Sequence, residues 1–229
     1  MTITRRTLAK GAAWSAPVIL ASATIPAYAA SKVEYKPTYS IGASYTYSGS
    51  VNTLKLGSNT RRSLPFPDGL GVRYETGASK TLEATLTALK VVYAFPKGWV
   101  TGLKLTSGSY SQPQKVVGAA YGISDRDYDI FEVVFAAPAK GMTQPSTVAE
   151  RQAFPGTAFT MEATSFGRVI SAPTVPAYMG YVGAFTTADG FNTSFNFVNY
   201  IPLQGTTAPR TLAKTASTET FTASAVNYA

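Results

Sequence analysis

The chain contains neither cysteine nor histidine. Without thiols there is no disulfide, no thiolate nucleophile and no cysteine to carry a lipid anchor, so stability must come from packing and hydrogen bonds. Without imidazole the Ser-His-Asp triad and the Cys-His dyad fall away, and so do zinc and copper centres that use nitrogen or sulfur ligands. Neither Gly-x-Ser-x-Gly nor Ser-x-x-Lys occurs, which removes the nucleophile elbow and the serine motif of penicillin-binding proteins. Beyond the first thirty residues no run is apolar enough to cross a bilayer as a helix. What these absences leave is carboxylate chemistry. A glycosidase needs two acids across a cleft, and the candidates are Asp125, Asp127, Asp129, Glu132, Glu162 and Asp189.

The N-terminus is patterned for export. Thr4 to Lys10 form a basic head with Arg5, Arg6 and Lys10, Gly11 to Ile25 are uncharged and weakly apolar, and Ala27-Tyr28-Ala29 supply the small-x-small step of a cleavage site. Those 15 central residues contain Pro17 and are too short to span a membrane. The stretch resembles a twin-arginine signal, Ser/Thr-Arg-Arg-x-Phe-Leu-Lys: Thr4, Arg5, Arg6 and Lys10 match, while Leu8 stands for Phe and Ala9 for Leu. It is also similar to the leaders of secreted actinobacterial proteins. The resemblance implies a signal peptide over residues 1–29, twin-arginine export with the Sec route as the alternative, and a mature chain at or outside the cell wall. It stops near residue 30.

The remaining 200 residues suffice to bury about 70% of the unfolded surface in a packed core. Of the 20 Lys and Arg, three lie in the leader, leaving 17 against 12 Asp and Glu, a net charge of +5 rather than +8. This mild, scattered excess suits an anionic envelope and is too thin for a nucleic-acid footprint. The expected partners are an envelope glycan or another surface protein, with no membrane association once the signal is removed.

From Val33 to Tyr47 apolar and polar residues alternate without a lapse, which predicts a strand with one face on a core; Pro37 places its part on an edge or at a break. Short strands are expected at Val51 to Leu56 and Leu70 to Tyr74. Thr81 to Phe95 alternates in two phases that meet near Ala88-Leu89, predicting a β-bulge or a strand that passes between sheets. Further strands are expected at Val100 to Thr106, Val116 to Tyr121, Asp129 to Phe135, Ala158 to Phe166, Gly180 to Thr186, Thr193 to Ile201 and Glu219 to Tyr228. Ala188-Asp189-Gly190-Phe191 reads as a hairpin turn. Pro138 to Pro155, with one turn of helix at Thr147 to Gln152, is the candidate domain boundary, and Thr206 to Ser217 reads as a connector. The pattern predicts an all-β chain, an antiparallel β-sandwich of immunoglobulin-like architecture over residues 30–229.

Three groups of residues suggest chemistry. Asp125, Asp127 and Asp129 are spaced like the start of a calcium loop, although Ile130 stands where the EF-hand requires Gly and Ala136 where it requires Glu; a looser calcium site at a sandwich end is the candidate, and no other cofactor is expected. Tyr35, Tyr39, Tyr45 and Tyr47 share a phase with Val33 and Ile41, which reads as core, with a sugar-stacking platform as the alternative. Lys90 with Asn196 or Asn199, and Glu132 or Glu162 as the acid, are the parts of an intramolecular isopeptide bond, provided that burial strips the lysine of its proton. The Arg61-Arg62 pair reads as a solvated loop. Taken together, the residues suggest a secreted, non-catalytic structural, adhesive or binding protein of the cell envelope. The alternatives are a carbohydrate-binding module or carboxylate-dependent glycan hydrolase, and a subunit of a surface assembly.

Overall fold

The structure is a computed structural model, and its described residues are 35–48, 51–58, 70–74, 81–145, 154–163, 165–166, 174–205 and 218–227. The stretch expected to be a signal peptide, residues 1–29, lies outside them, as do Arg61-Arg62, Thr147 to Gln152 and Thr206 to Ser217. In chain order the strands are β1 (Tyr35–Ser48), β2 (Val51–Gly57), β3 (Leu70–Tyr74), β4 (Glu83–Pro96), β5 (Val100–Thr101) and β6 (Lys104–Ser107). There follow β7 (Gln114–Val116), β8 (Tyr128–Val134), β9 (Ala139–Met142), β10 (Gln144–Pro145), β11 (Thr160–Ala163) and β12 (Ser165–Phe166). The last six are β13 (Thr174–Val175), β14 (Tyr178–Thr187), β15 (Asn192–Asn196), β16 (Asn199–Tyr200), β17 (Leu203–Gly205) and β18 (Thr218–Asn227). No helix occurs among the described residues, so none there is long and apolar enough to cross a membrane.

Two large sheets face each other. The first runs β13-β17-β18-β1-β2-β11-β6, with β3 also on β1 and β10 on β3; the second runs β15-β14-β4-β8-β7, with β16 on β14 and β9 on β4. A small third sheet joins β5 to β12. Every pairing is antiparallel except β10 with β3. The expected antiparallel sandwich is therefore present; this strand order does not establish the immunoglobulin-like connectivity. In the described part of the candidate boundary, β9 joins the second sheet and β10 the first.

The alternation in β1 explains its face. Tyr35, Tyr39, Ile41, Ala43 and Tyr45 are buried, and they meet Leu89, Val91, Tyr93 and Phe95 of β4 and Met179, Tyr181 and Phe185 of β14 in one core. Each large side chain buried there contributes about 1.5–3 kcal/mol. Tyr39 and Tyr181 pack edge to face across the layers at 5.4 Å, and the Tyr93 hydroxyl donates to the Gly42 carbonyl at 3.0 Å, joining the two sheets deep inside. Pro37 lies opposite Val72 of β3, and the described part of β18 ends with Asn227 opposite Tyr39.

The two phases of β4 are joined by a bulge. Ala184 of β14 lies opposite Ala88 and Phe185 opposite Leu86, so Thr87 is the extra residue, and both Thr87 and Ala88 are exposed. The strand stays in its sheet but changes neighbours there, from β9 along Glu83–Leu86 to β8 along Lys90–Pro96. Several expected strands are shorter than predicted. Gly102, with φ of 62°, separates β5 from β6, and β7 ends at Val116 ahead of a bend at Gly118 (φ 87°), so the Val116 to Tyr121 candidate keeps one strand residue.

Candidate functional site

The outward face of the second sheet is not the polar surface that period-two patterning implies. Val92 and Ala94 of β4 point away from the main core yet are fully buried, because they pack with Ile123 and Ile130 in a second cluster fringed by Val116, Tyr121, Tyr128, Tyr178, Val182 and Val198. Residues 117–127 fold back over this face. Their tip is a two-residue hairpin, with Ala120 and Ile123 exchanging backbone hydrogen bonds and with Tyr121 (φ 57°) and Gly122 (φ 74°) both in the left-handed region. For a tyrosine that conformation costs about 1–2 kcal/mol. Its side chain is tied down: the Tyr121 hydroxyl donates to Glu132 Oε1, while Lys90 Nζ donates to Oε2 at 3.0 Å. Burial first, then the bond and the charge of Glu132, push the Tyr121 hydroxyl well above the usual phenol range.

Beyond this clamp the same face carries three tyrosines. Ile130, Ala94, Tyr178 and Tyr200 are successive cross-strand partners on β8, β4, β14 and β16, and Tyr128 lies opposite Pro96 in the next row outward. The rings of Tyr128 and Tyr178 meet edge to face at 5.1 Å and those of Tyr178 and Tyr200 at 5.2 Å. Tyr200 is 51% exposed. The cluster went unseen in the sequence, although β14 held a signal for it: with Met179, Tyr181 and Phe185 inside, period two sends Tyr178 outward.

The residues singled out from sequence are distributed differently. Asp129 is buried on the Phe95 side of β8, where Oδ2 accepts the Gly98 N–H at 2.8 Å. Lys115 Nζ lies 2.8 Å from Oδ1, close enough for an ion pair but without the angle of a directed hydrogen bond. Burial acts to raise the Asp129 pKa, but Lys115 and the Gly98 amide outweigh it and hold the carboxyl below its usual range. Asp125 and Asp127 remain in the turn before β8, and among the described residues no three carboxylates gather as a cation would require. The calcium candidate is thus not assembled, because the strand turns Asp129 inward to Lys115.

The isopeptide parts are not assembled either. Lys90, Val182 and Asn196 lie in one row on β4, β14 and β15, so Lys90 and Asn196 are two strand spacings apart, about 9.5 Å. The Lys90 ammonium points the other way, to Glu132, and its side chain is 44% exposed, so the burial that the bond requires is missing. The Asn196 side chain accepts the Val198 N–H and that of Asn199 donates to the Phe197 carbonyl. Glu162 faces Lys55 on the first sheet.

Of the β1 tyrosines, which read as core with a stacking platform as the alternative, Tyr35, Tyr39 and Tyr45 are core residues, and only the backbone of Tyr47 is described. Asp189 sits in the predicted hairpin, where Gly190 adopts φ of 86°; it accepts the Tyr35 hydroxyl at 2.9 Å and that of Thr187. Burial tends to raise its pKa, and the bonds from Thr187, Tyr35 and the Phe191 amide bring it below the usual range.

No protein-family model matches the chain, and neither a curated protein nor a solved structure matches it.

Proposed function

We propose that this chain is a secreted, non-catalytic binding protein of the cell envelope, with the tyrosine-bearing outer face of the second sheet as its contact surface. The observation that carries the non-catalytic reading is the state of the described carboxylates, all of which except Asp125 and Asp127 are paired. Glu83 is paired with Lys140, Glu132 with Lys90 and Tyr121, Asp129 with Lys115, Glu162 with Lys55, and Asp189 with Tyr35 and Thr187. A glycosidase holds one carboxyl protonated through a raised pKa, and a second carboxylate stands across the scissile bond. Here the shifted carboxyls, Asp129 and Asp189, move downward.

The assembly alternative calls for long exposed edges. Among the described residues the long strands β1, β4 and β14 are interior, β17 pairs with the outer side of β18 at Phe221 and Thr222, and the strands at the sheet margins have two to five residues. Face-to-face binding therefore has more support than edge-to-edge polymerisation. The test is co-sedimentation of the purified mature chain with envelope fractions, run beside an assay for released reducing sugar. Retention with no sugar released is the expected result. Sugar release, or no retention in any fraction, would defeat the reading.

A further inference from the structure

We infer that the Tyr128–Tyr178–Tyr200 cluster is a subsite for the pyranose rings of a neutral polysaccharide; this rests on the reading of the outer face as the contact surface. Apart from Tyr45 and Tyr181, the hydroxyls of the described tyrosine side chains divide into two sets. Those of Tyr35, Tyr39, Tyr93, Tyr110 and Tyr121 each donate to a protein oxygen, and that of Tyr74 is bonded to Thr81. Among the described residues the hydroxyls of Tyr128, Tyr178 and Tyr200 have no such partner, and these are the three whose rings pack together on the outer face.

A tyrosine offers an apolar ring beside a donor and acceptor group, the combination that a sugar presents in reverse with its C–H face and hydroxyl rim. Edge-to-face packing already fixes the three side chains, so little rotamer freedom is left to lose on binding. The successive near-perpendicular rings, at 90° and 68°, give a stepped surface and not one flat plane, which suits a chain of tilted rings better than a crystalline sheet.

Charge decides for a neutral ligand. Lys90 and Lys115 are paired with Glu132 and Asp129, and the exposed Lys97 and Arg126 are matched in number by Asp125 and Asp127, so these charges cancel. Burial first, then Tyr178 and Tyr200, and last the exposed Asp127 next to it in sequence, raise the pKa of Tyr128. A carboxylate beside the rings accepts sugar hydroxyls and repels an anionic polymer, while the exposed Arg126 sits between Asp125 and Asp127 in sequence.

The experiment is affinity electrophoresis of the mature chain in native gels cast with soluble glucan, mannan, galactan or xylan, with an anionic uronan as comparison. Wild type is expected to be retarded by at least one neutral polymer and less by the uronan. Tyr200→Ala and Tyr178→Ala should each weaken that retardation about tenfold, as loss of a central aromatic contact does. Tyr200→Phe should fall between, and Asp127→Asn, which alters only an exposed side chain, serves if an alanine variant melts early. Free migration through every neutral gel, or retardation unchanged in both alanine variants and in Asp127→Asn, would overturn the inference. Envelope retention without polysaccharide retardation overturns it while leaving the proposed function standing. Retardation by neutral polymer without envelope retention does the reverse.

Discussion

Gly180 is where a single methyl group should do most damage. The residue lies in β14 opposite Val92, and it carries no positive φ, so conformational freedom is not the reason for glycine. Space is. A Cβ there would stand 2.1 Å from the Phe197 carbonyl oxygen, 2.6 Å from its carbon and 2.7 Å from the Val198 Cα, all backbone atoms. Relief requires that segment to withdraw by more than about 1 Å to regain ordinary van der Waals separation. Phe197 resists: its amide donates to the Tyr181 carbonyl at 2.9 Å, and its ring stacks on Tyr39 at 5.0 Å and on Phe195 at 5.3 Å. Gly180→Ala should therefore cost about 3 kcal/mol, the upper end for overpacking. For a domain of this size that is a fall of roughly 6–12 °C in melting temperature. Gly190→Ala is the control, since Gly190 has φ of 86° and nothing within 4 Å of the new carbon; strain alone should cost about 1 kcal/mol. Urea unfolding followed by tryptophan fluorescence measures both. If Gly180→Ala unfolds at the wild-type midpoint, or Gly190→Ala proves the more harmful, the account of the Phe197–Val198 crossing is wrong.

Tyr93→Phe should cost about 1–2 kcal/mol in the same assay, because it leaves the Gly42 carbonyl without its buried donor; no change would mean that water replaces the hydroxyl. The Tyr35–Asp189 bond should give stability two limbs in pH. Asp189 titrates below its unfolded value of 3.8, so its contribution is full above about pH 4 and is lost on acidification; Tyr35, pushed up to about 12 by burial and by Asp189, contributes fully below pH 10 and loses that as pH rises. Melting temperature against pH should fall at both ends, and Asp189→Asn should flatten the acid limb. Replacing Arg5-Arg6 with Lys-Lys should block export while synthesis continues; unchanged secretion would assign the Sec route.

The layers were legible where one face is buried and the other wet. Val33 to Tyr47 alternates because one side of β1 lines the main core, although its polar side is drier than the pattern implies, with Thr38 buried and Lys36 and Ser44 half-buried; the phase jump in β4 exposed the bulge to within a residue or two. The outer face of the second sheet was illegible for the same physical reason. Val91, Val92, Tyr93, Ala94 and Phe95 are all buried, so both sides of the strand read as apolar and the period vanishes. The calcium and isopeptide candidates failed differently. Their residue types were suitable, but spacing along the chain did not reveal that Lys115 claims Asp129 or that Lys90 and Asn196 lie two strands apart. The tyrosine cluster joins residues from β8, β14 and β16, whose neighbourhood depends on long-range register and not on local pattern.

That register follows from how the long strands share their edges. β1 has β18 along one side and, on the other, β3 followed by β2; β4 has β14 on one side and β9 then β8 on the other; β14 has β4 on one side and β15 then β16 on the other. A 14-residue strand with one straight partner on each side would carry the full right-handed twist of the sheet, whereas exchanging a short neighbour midway lets each layer curve over the core. On β14 the exchange falls at Gly180. Asn196 lies opposite Val182 and Tyr200 opposite Tyr178, four residues apart on both strands, so register survives although the ladder opens at Phe197 and Val198. Phe197 turns into the main core and Val198 onto the outer cluster, which needs the space that Gly180 leaves. The device that lets the sheet curve thus also sets Tyr200 against Tyr178, and displacing the segment should separate the two rings even in a variant that still folds.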